Sequence, residues 1–151
     1  MRVTSLTFAC LAAGATILGA CGGPTAPERQ LQAARLKWER ARPAAYTITV
    51  ARWCECTQEM SGPVVVAVRD GVIESRTCVA SAAAVGPTYA DLFPSIDGLF
   101  ERIDDAHRRR AASVDVTYDP GFGFPVTISI DYNRIMADDE LTYRATNFQP
   151  R

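Results

Sequence analysis

The pattern of apolar positions predicts an amphipathic helix near the start of the folded region. From Glu28 to Arg42, apolar side chains recur at helical spacing between charged ones, and Pro43 ends the run. The apolar positions are Leu31, Ala34, Trp38 and Ala41. We therefore expect a helix that buries one face, with Trp38 as its largest buried side chain.

The period of the pattern then changes to two, which is typical of a half-buried strand. Apolar and polar side chains alternate over residues 46–51, and the run leads into Cys54 and Cys56. On this alternation, both cysteines fall on the core-facing side of the strand. The next segment, residues 63–79, predicts a hairpin, because two β-rich runs flank Asp70-Gly71, a dipeptide typical of a two-residue turn. Counting outward from the turn gives the pairs Val68 with Ile73, Val66 with Ser75, Val64 with Thr77 and Pro63 with Cys78.

A second helix is predicted from Ser95 to Arg110, after a loose segment at 80–94. Ser95 is typical of an N-cap, and Asp97 is favourable in a first helical turn. The expected buried stripe is Ile96, Leu99, Phe100, Ile103, Ala106 and His107. Three further alternating runs predict strands at 113–119, 125–132 and 140–148. This order indicates the α+β class: an antiparallel sheet of about six strands with two helices packed on one face, in the order α-βββ-α-βββ.

The first twenty residues predict a secretory leader. Met1-Arg2 precedes an uncharged apolar run, Leu6 to Ala20, which at about 15 residues is shorter than the ~20 residues of a membrane-spanning helix. The run ends in Leu18-Gly19-Ala20-Cys21, which resembles the lipobox of bacterial lipoproteins. The resemblance implies cleavage before Cys21, a lipid on its thiol and an acylated amino terminus. The alternative is an ordinary secretory signal cut near Ala20.

The chain therefore divides into a cleaved leader, residues 1–20, a lipidated tether, residues 21–27, and a single α+β domain, residues 28–151. The Gly and Pro residues of the tether argue against regular structure there. Removal of 20 of the 151 residues leaves 131, enough for one hydrophobic core. Without Arg2 the formal net charge is about −2, and this balance does not indicate a nucleic-acid partner.

The cysteines of the mature chain other than Cys21 present three alternatives: a metal site, a redox pair or a disulfide. A thiolate metal site needs four soft or imidazole ligands, and redox pairs usually have the C-x-x-C spacing at a helix start. Outside the cytoplasm oxidation is favoured, so we expect Cys78 to bond to Cys56 or Cys54. An intervening strand would separate the two cysteine-bearing strands by roughly 10 Å, whereas the Cα atoms of a disulfide lie within ~7 Å of each other. The bond must therefore close around the end of the intervening strand, which favours Cys56. A bond between Cys54 and Cys56 is the alternative.

Two further groups are candidates for binding. Asp138, Asp139 and Glu140 offer hard oxygen ligands for Ca²⁺, but the spacing is not that of an EF-hand, and a solvated hairpin loop is the favoured interpretation. Phe122 and Phe124 follow Gly121 and Gly123 in residues 119–125 and either contact an envelope partner or fold back over the open core edge.

No cofactor and no enzyme class is predicted. His107 has no Ser or Cys neighbour in a recognisable motif. Asp119 and Asp131 are acids that could work as a pair only if the fold brought them together. The arginines at 108–110 complement the helix dipole, and in a tethered domain they could rest on anionic lipid.

The order of these features resembles a family of bacterial, often lipobox-bearing proteins of unknown function, DUF6174. The resemblance rests on Trp38, Tyr46, CEC at 54–56, VAVRDGVI at 66–73, SIDGLFERIDDA at 95–106, VTYDPGFGFP at 116–125 and DDELTY at 138–143. It implies a shared fold and an envelope location, and the family has no established activity to carry over.

We therefore expect an envelope lipoprotein, held at a cell membrane or an outer membrane by its N-terminal lipid, with the domain on the non-cytoplasmic side. The domain is expected to act as a binding or structural module for an envelope partner. The alternatives are an envelope hydrolase that uses carboxylates and a Ca²⁺-dependent binding module. Acids that converge in a deep pocket would favour the hydrolase, and a flat sheet face would favour the binding module.

Overall fold

The computed structural model describes residues 23–53, 57–135 and 140–151. Three α-helices and a 3-10 helix lie in these ranges: α1 (Ala26–Ala41), α2 (Gln58–Ser61), the 3-10 helix (Pro87–Leu92) and α3 (Ile96–Arg108). The strands are β1 (Ala45–Trp53), β2 (Val64–Arg69), β3 (Val72–Cys78), β4 (Ser113–Tyr118), β5 (Pro125–Asp131) and β6 (Glu140–Pro150). None of the helices in the described ranges is both long and apolar enough to cross a bilayer.

The six strands form one sheet in the order β3-β2-β1-β6-β5-β4, and each neighbouring pair is antiparallel. The predicted α+β class and the order α-βββ-α-βββ are confirmed. The short α2 and the 3-10 helix were not predicted, because each is too brief to give a periodic pattern.

The core lies between one face of the sheet and the two long helices. Its strand residues are Tyr46, Ile48, Val50, Val64, Val66, Val68, Ile128, Ile130, Tyr143 and Ala145. Its helical residues are Leu31, Ala34 and Trp38 of α1, with Ile96, Leu99, Phe100, Ile103 and Ala106 of α3. Alternate residues of a strand point to opposite faces, so the period-two pattern places the buried strand residues on the face that the helices cover.

The two long helices run antiparallel to each other. The indole Nε1 of Trp38 donates to Asp97 Oδ1 at 2.9 Å, and Arg35 Nη2 donates to Asp104 Oδ2 at 2.7 Å. Moving backward along α1 therefore corresponds to moving forward along α3. The start of α1 lies on the same side of the molecule as the end of α3.

These directions define two poles of the domain. The tether pole contains Thr25, residues 108–112 and residues 131–135. Strand β1 ends there too, because Trp53 pairs with Thr142 near the start of β6. The turn pole, at the opposite end, contains the turn between β2 and β3 and the loop 119–124.

Helix α1 begins earlier than the sequence pattern predicts. Thr25 is its N-cap and forms a capping box with Glu28: the Thr25 hydroxyl accepts from the Glu28 amide, and the Glu28 carboxylate accepts from the Thr25 amide. Pro27 lies in the first turn, where its missing N–H costs nothing. The expected irregular tether to residue 27 is therefore wrong from residue 26 onward, and the predicted domain boundary at 28 falls inside the helix. At the other end, Ala41 is exposed, not buried.

The predicted hairpin forms, but its register differs by one residue beyond the first pair. Val68 pairs with Ile73 as predicted, and a bulge then shifts the pairing so that Val66 faces Arg76 and Val64 faces Cys78. The shift leaves Glu74 as the extra residue of β3, and its carboxylate pairs with Arg69 at 2.8 Å. The predicted pairing of Cys78 with Pro63 is therefore wrong, and Cys78 lies beside a buried core position.

Helix α3 has the predicted N-cap, because the Ser95 hydroxyl accepts from the Gly98 amide at 3.2 Å. Five of its six predicted buried positions are buried, but His107 is exposed. Ala106 occupies the last buried position, and the next residue is turned about 100° away from the core.

Gly123 shows how closely α1 packs on the loop of the turn pole. Its φ is +83°, and a Cβ at this position would lie 2.5 Å from the carbonyl oxygen of Ala34 and 2.8 Å from Lys37 Cβ. The side chain of Lys37 donates to the carbonyl oxygen of Pro120 in the same loop. A side chain at residue 123 would therefore push the helix away from the loop.

We predict that Gly123→Ala lowers the free energy of unfolding by about 2–3 kcal/mol, because it adds a steric clash to left-handed backbone strain. Urea unfolding measures the change. Gly86→Ala is the matched control, because Gly86 has a φ of −62° and no atom within 4 Å of an added Cβ. Equal effects of the two substitutions would contradict the close packing of α1.

Candidate functional site

The residues that the sequence marks for chemistry divide into two groups. Cys21, Cys54, Cys56, Asp138 and Asp139 lie outside the described residues. Cys78, Glu140, Phe122 and Phe124 lie within them. The predictions on the first group, including the lipid on Cys21, stay predictions.

Cys78 is the last residue of β3 and lies at the tether pole. Its side chain is half-buried against the core, and its thiol is free in the described part of the structure. A turn holds its backbone, because its amide donates to Ala83 and its carbonyl accepts from Ala82, each at 2.9 Å. The cysteine is therefore held firmly at the end of the strand.

Glu140 begins β6 and faces Asp131 across the strand pair. The Asp131 carboxylate accepts from the amide of Asn133 at 2.8 Å, which makes it the cap of a local turn. Within the described ranges, no three metal-ligating side chains lie together. The placement of Glu140 and Asp131 alone therefore does not define a Ca²⁺ site.

Phe122 and Phe124 belong to an aromatic cluster at the turn pole. Phe124 is buried and Phe122 is half-buried, and the centroids of their rings lie 4.9 and 4.8 Å from that of Phe148. Asp119 shapes the loop, because its Oδ1 accepts from the amides of Gly121 and Phe122. This packing corresponds to the interpretation in which the rings close the core edge, and Phe124 offers almost no surface to a partner.

The acids Asp119 and Asp131 do not meet. One precedes β5 at the turn pole and the other ends it at the tether pole, so the length of the strand, about 20 Å, separates them. Paired catalytic carboxylates lie within about 10 Å of each other. These two acids are therefore unsuited to shared acid–base chemistry.

A cavity of about 410 Å³ with several charged lining residues lies at the turn pole, between the end of α1, the hairpin turn and the start of α3. Its lining includes Arg42, Tyr46, Asp70 and Asp97. Asp97 accepts from the indole of Trp38 through Oδ1, and its Oδ2 lies 3.7 Å from Arg42 Nη1. Burial raises the pKa of Tyr46 to about 12, and its phenol oxygen accepts from the amide of Ile96.

The chemistry of this cavity favours binding of a small polar group. It presents one guanidinium and two carboxylates to a bound group. Depressions of similar volume lie elsewhere on α1, beside Arg35 and Asp104 and beside Leu36 and Gly121, so volume alone does not single out the cavity. The cavity was not predicted from the sequence, and the one available signal was that a buried Trp38 needs an acceptor for its N–H.

The face of the sheet opposite the core is open and rich in small hydroxyl side chains. Its residues include Ala51 and Trp53 on β1, Thr142, Arg144 and Thr146 on β6, and Thr127 and Ser129 on β5, whereas Thr49 of β1 on the same face is buried. Trp53 is 51 % exposed, and the Arg144 guanidinium lies 5.2 Å from the centroid of its ring. We name this surface the open face. Trp and Arg are enriched among binding anchors.

The sheet, the two covering helices and the open face define a small α+β domain with one helical layer. The model of the family of unknown function DUF6174 matches residues 30–150. The chain belongs to this family, and the match covers all six strands and both long helices except the first turn of α1. No curated protein and no solved structure matches the chain.

Proposed function

We propose that the chain is a lipid-anchored envelope protein. The support is the lipobox-like sequence at 18–21 together with the position of the first helix. Thr25 caps α1 only four residues after Cys21, and four residues span at most about 14 Å. A lipid on Cys21 would therefore hold the domain directly at the membrane surface.

We propose further that the domain is a binding module that uses the open face. The observation that carries this proposal is Trp53, which is half-exposed beside Arg144 and lies outside the hydrophobic core formed by the described residues. A partner that covered this large aromatic side chain would gain the free energy of burying it. The surrounding Thr and Ser hydroxyls can donate and accept hydrogen bonds across a flat contact.

We also propose that Cys78 pairs with Cys56 in an oxidising envelope. The support is the position of Cys78 at the tether pole, where β1 ends one residue before Cys54. Strand β2 lies between β1 and β3, so a bond must pass around its first residue, and this favours the cysteine farther from β1. Closing a loop of about 22 residues would stabilise the domain by roughly 3 kcal/mol on the chain-entropy model.

The lipid anchor predicts that Cys21→Ala moves the protein from the membrane fraction to the soluble fraction. Metabolic labelling with a fatty-acid analogue should mark the wild-type chain and not the variant, because the acylated thiol is absent. Cys78→Ala is the matched control, which removes a thiol but not the anchor. Labelled Cys21→Ala protein would contradict the proposal.

The binding module predicts partner adducts from the open face. A photo-crosslinking residue at Thr142 or Thr127 should give adducts in intact cells, and the same residue at Leu36, which is 50 % exposed on α1, should not. Adding Trp53→Ala should reduce the adducts at Thr142 at least about fivefold, because loss of an anchor costs more than 1 kcal/mol. Equal adducts from both sides of the domain would overturn the use of the open face.

The disulfide predicts a linked peptide pair that contains Cys56 and Cys78 in a non-reducing peptide map of protein from the envelope. Reduction should lower the free energy of unfolding of the wild type by roughly 3 kcal/mol and leave Cys78→Ser unchanged. Three free thiols, or a bond between Cys54 and Cys56, would contradict the pairing.

A further inference from the structure

We propose that the tether pole is a membrane-docking surface that rests on anionic lipid. This inference rests on the lipid anchor at Cys21 proposed above and states which part of the domain the anchor presses against the bilayer. The occupant is the lipid headgroup layer of the membrane that holds the anchor.

The length of the tether brings this pole to the membrane. Because α1 and α3 run antiparallel, Thr25 lies on the same side as the end of α3, and at most about 14 Å of chain connects it to Cys21. Helix α1 has 16 residues and is therefore about 24 Å long, so the turn pole lies well beyond the reach of the tether. An anchored domain can rest on lipid only through the tether pole or through a side next to it.

Four arginines gather at this pole. Arg108, Arg109 and Arg110 end α3, and the Arg134 guanidinium donates to the carbonyl of Ala112 just beyond that end. The Arg109 guanidinium lies 4.2 Å from the centroid of the Tyr132 ring, which ties the helix end to the segment after β5. These contacts bring the two segments together into one surface.

Arg110 occupies a position where helix stability favours glycine. Its φ is +56°, its amide donates to His107, and the amide of Ala111 donates to Ala106. This pair of bonds is a Schellman motif, in which the left-handed residue is usually Gly. A side chain there costs stability, although the charge of Arg110 is favourable beside the negative end of the helix dipole.

An apolar tip lies next to the arginines. Ile135 is 93 % exposed. An isoleucine loses the free energy of burial in water and regains it among acyl chains. Guanidinium groups around an exposed apolar tip are the combination that binds an interfacial region of a bilayer.

The acidic side chains at this pole pair with some of its arginines and so restrict the unpaired positive charge to part of the surface. Asp105 pairs with both Arg108 and Arg109, at 3.2 and 3.8 Å, and Asp131 and Glu140 lie at the ends of β5 and β6. Asp138 and Asp139 also follow in the sequence. Among the described residues, Arg110 and Arg134 make no ion pair. Docking therefore depends on these two arginines together with Ile135.

The test is hydrogen exchange on the full lipidated protein in vesicles of phosphatidylcholine, with and without phosphatidylglycerol. Amides of 108–112 and 132–135 should exchange at least about fivefold more slowly with the anionic lipid, since one Arg near an anionic surface is worth about that factor. Amides of 70–73 and 119–124, at the turn pole, should not change.

The variant pair Arg110→Gln with Ile135→Ser should remove the protection while the protein still floats with the vesicles. The matched control is Arg69→Gln with Val72→Ser, which removes an exposed arginine and an exposed apolar side chain at the turn pole and should leave the protection intact. Flotation with equal exchange at both poles would overturn this inference alone. A wild-type chain that does not float would overturn the lipid anchor and this inference together.

Discussion

The hydrogen bond from the Trp38 indole to Asp97 determines how the two helices and the turn pole are positioned relative to one another. Trp38 is fully buried, and an indole N–H buried without an acceptor would cost about 1–3 kcal/mol. The ring can therefore be buried only where α3 presents Asp97, which sets the position of one helix relative to the other. The edges of the Tyr46, Phe124 and Phe148 rings close around it, so the same residue also sets how the start of β1 and the loop before β5 meet.

Most of the architecture could be predicted from the periodicity of the sequence. The differences between the prediction and the structure each involve one or two residues. The alternation over 46–51 identifies β1 because its core face is continuous. By contrast, the bulge at Glu74 leaves both flanking stretches with ordinary strand patterns, so counting from the turn cannot detect it. The start of α1 was missed for a related reason: Pro27 indicates an interruption by composition, yet its location after the Thr25 cap makes it a helix start.

The candidate site was harder to predict from the sequence, because it is assembled from residues far apart in the chain. Arg42 ends α1 and Asp97 begins α3, and each has a sufficient local explanation as a charge at a helix end. Only the antiparallel packing of the helices brings them to within 3.7 Å of each other. The same limit applies to Phe122 and Phe124, whose burial depends on where α1 lies, and the sequence pattern of the loop carries no information on that.

The directions of the helices and strands give the cavity and the open face different positions relative to a membrane. Every strand and both long helices run between the poles. With a lipid at the amino terminus, the cavity that contains Arg42 and Asp97 would therefore point away from the bilayer and lie about one helix length from the bilayer surface. The open face would then stand upright on the membrane with Trp53 near its lower edge. A soluble ligand would reach the cavity without obstruction by lipid, whereas a partner of the open face would itself have to lie close to the membrane. Within one domain, the orientation that such an anchor would impose thus places the cavity far from the membrane and the lower edge of the open face close to it.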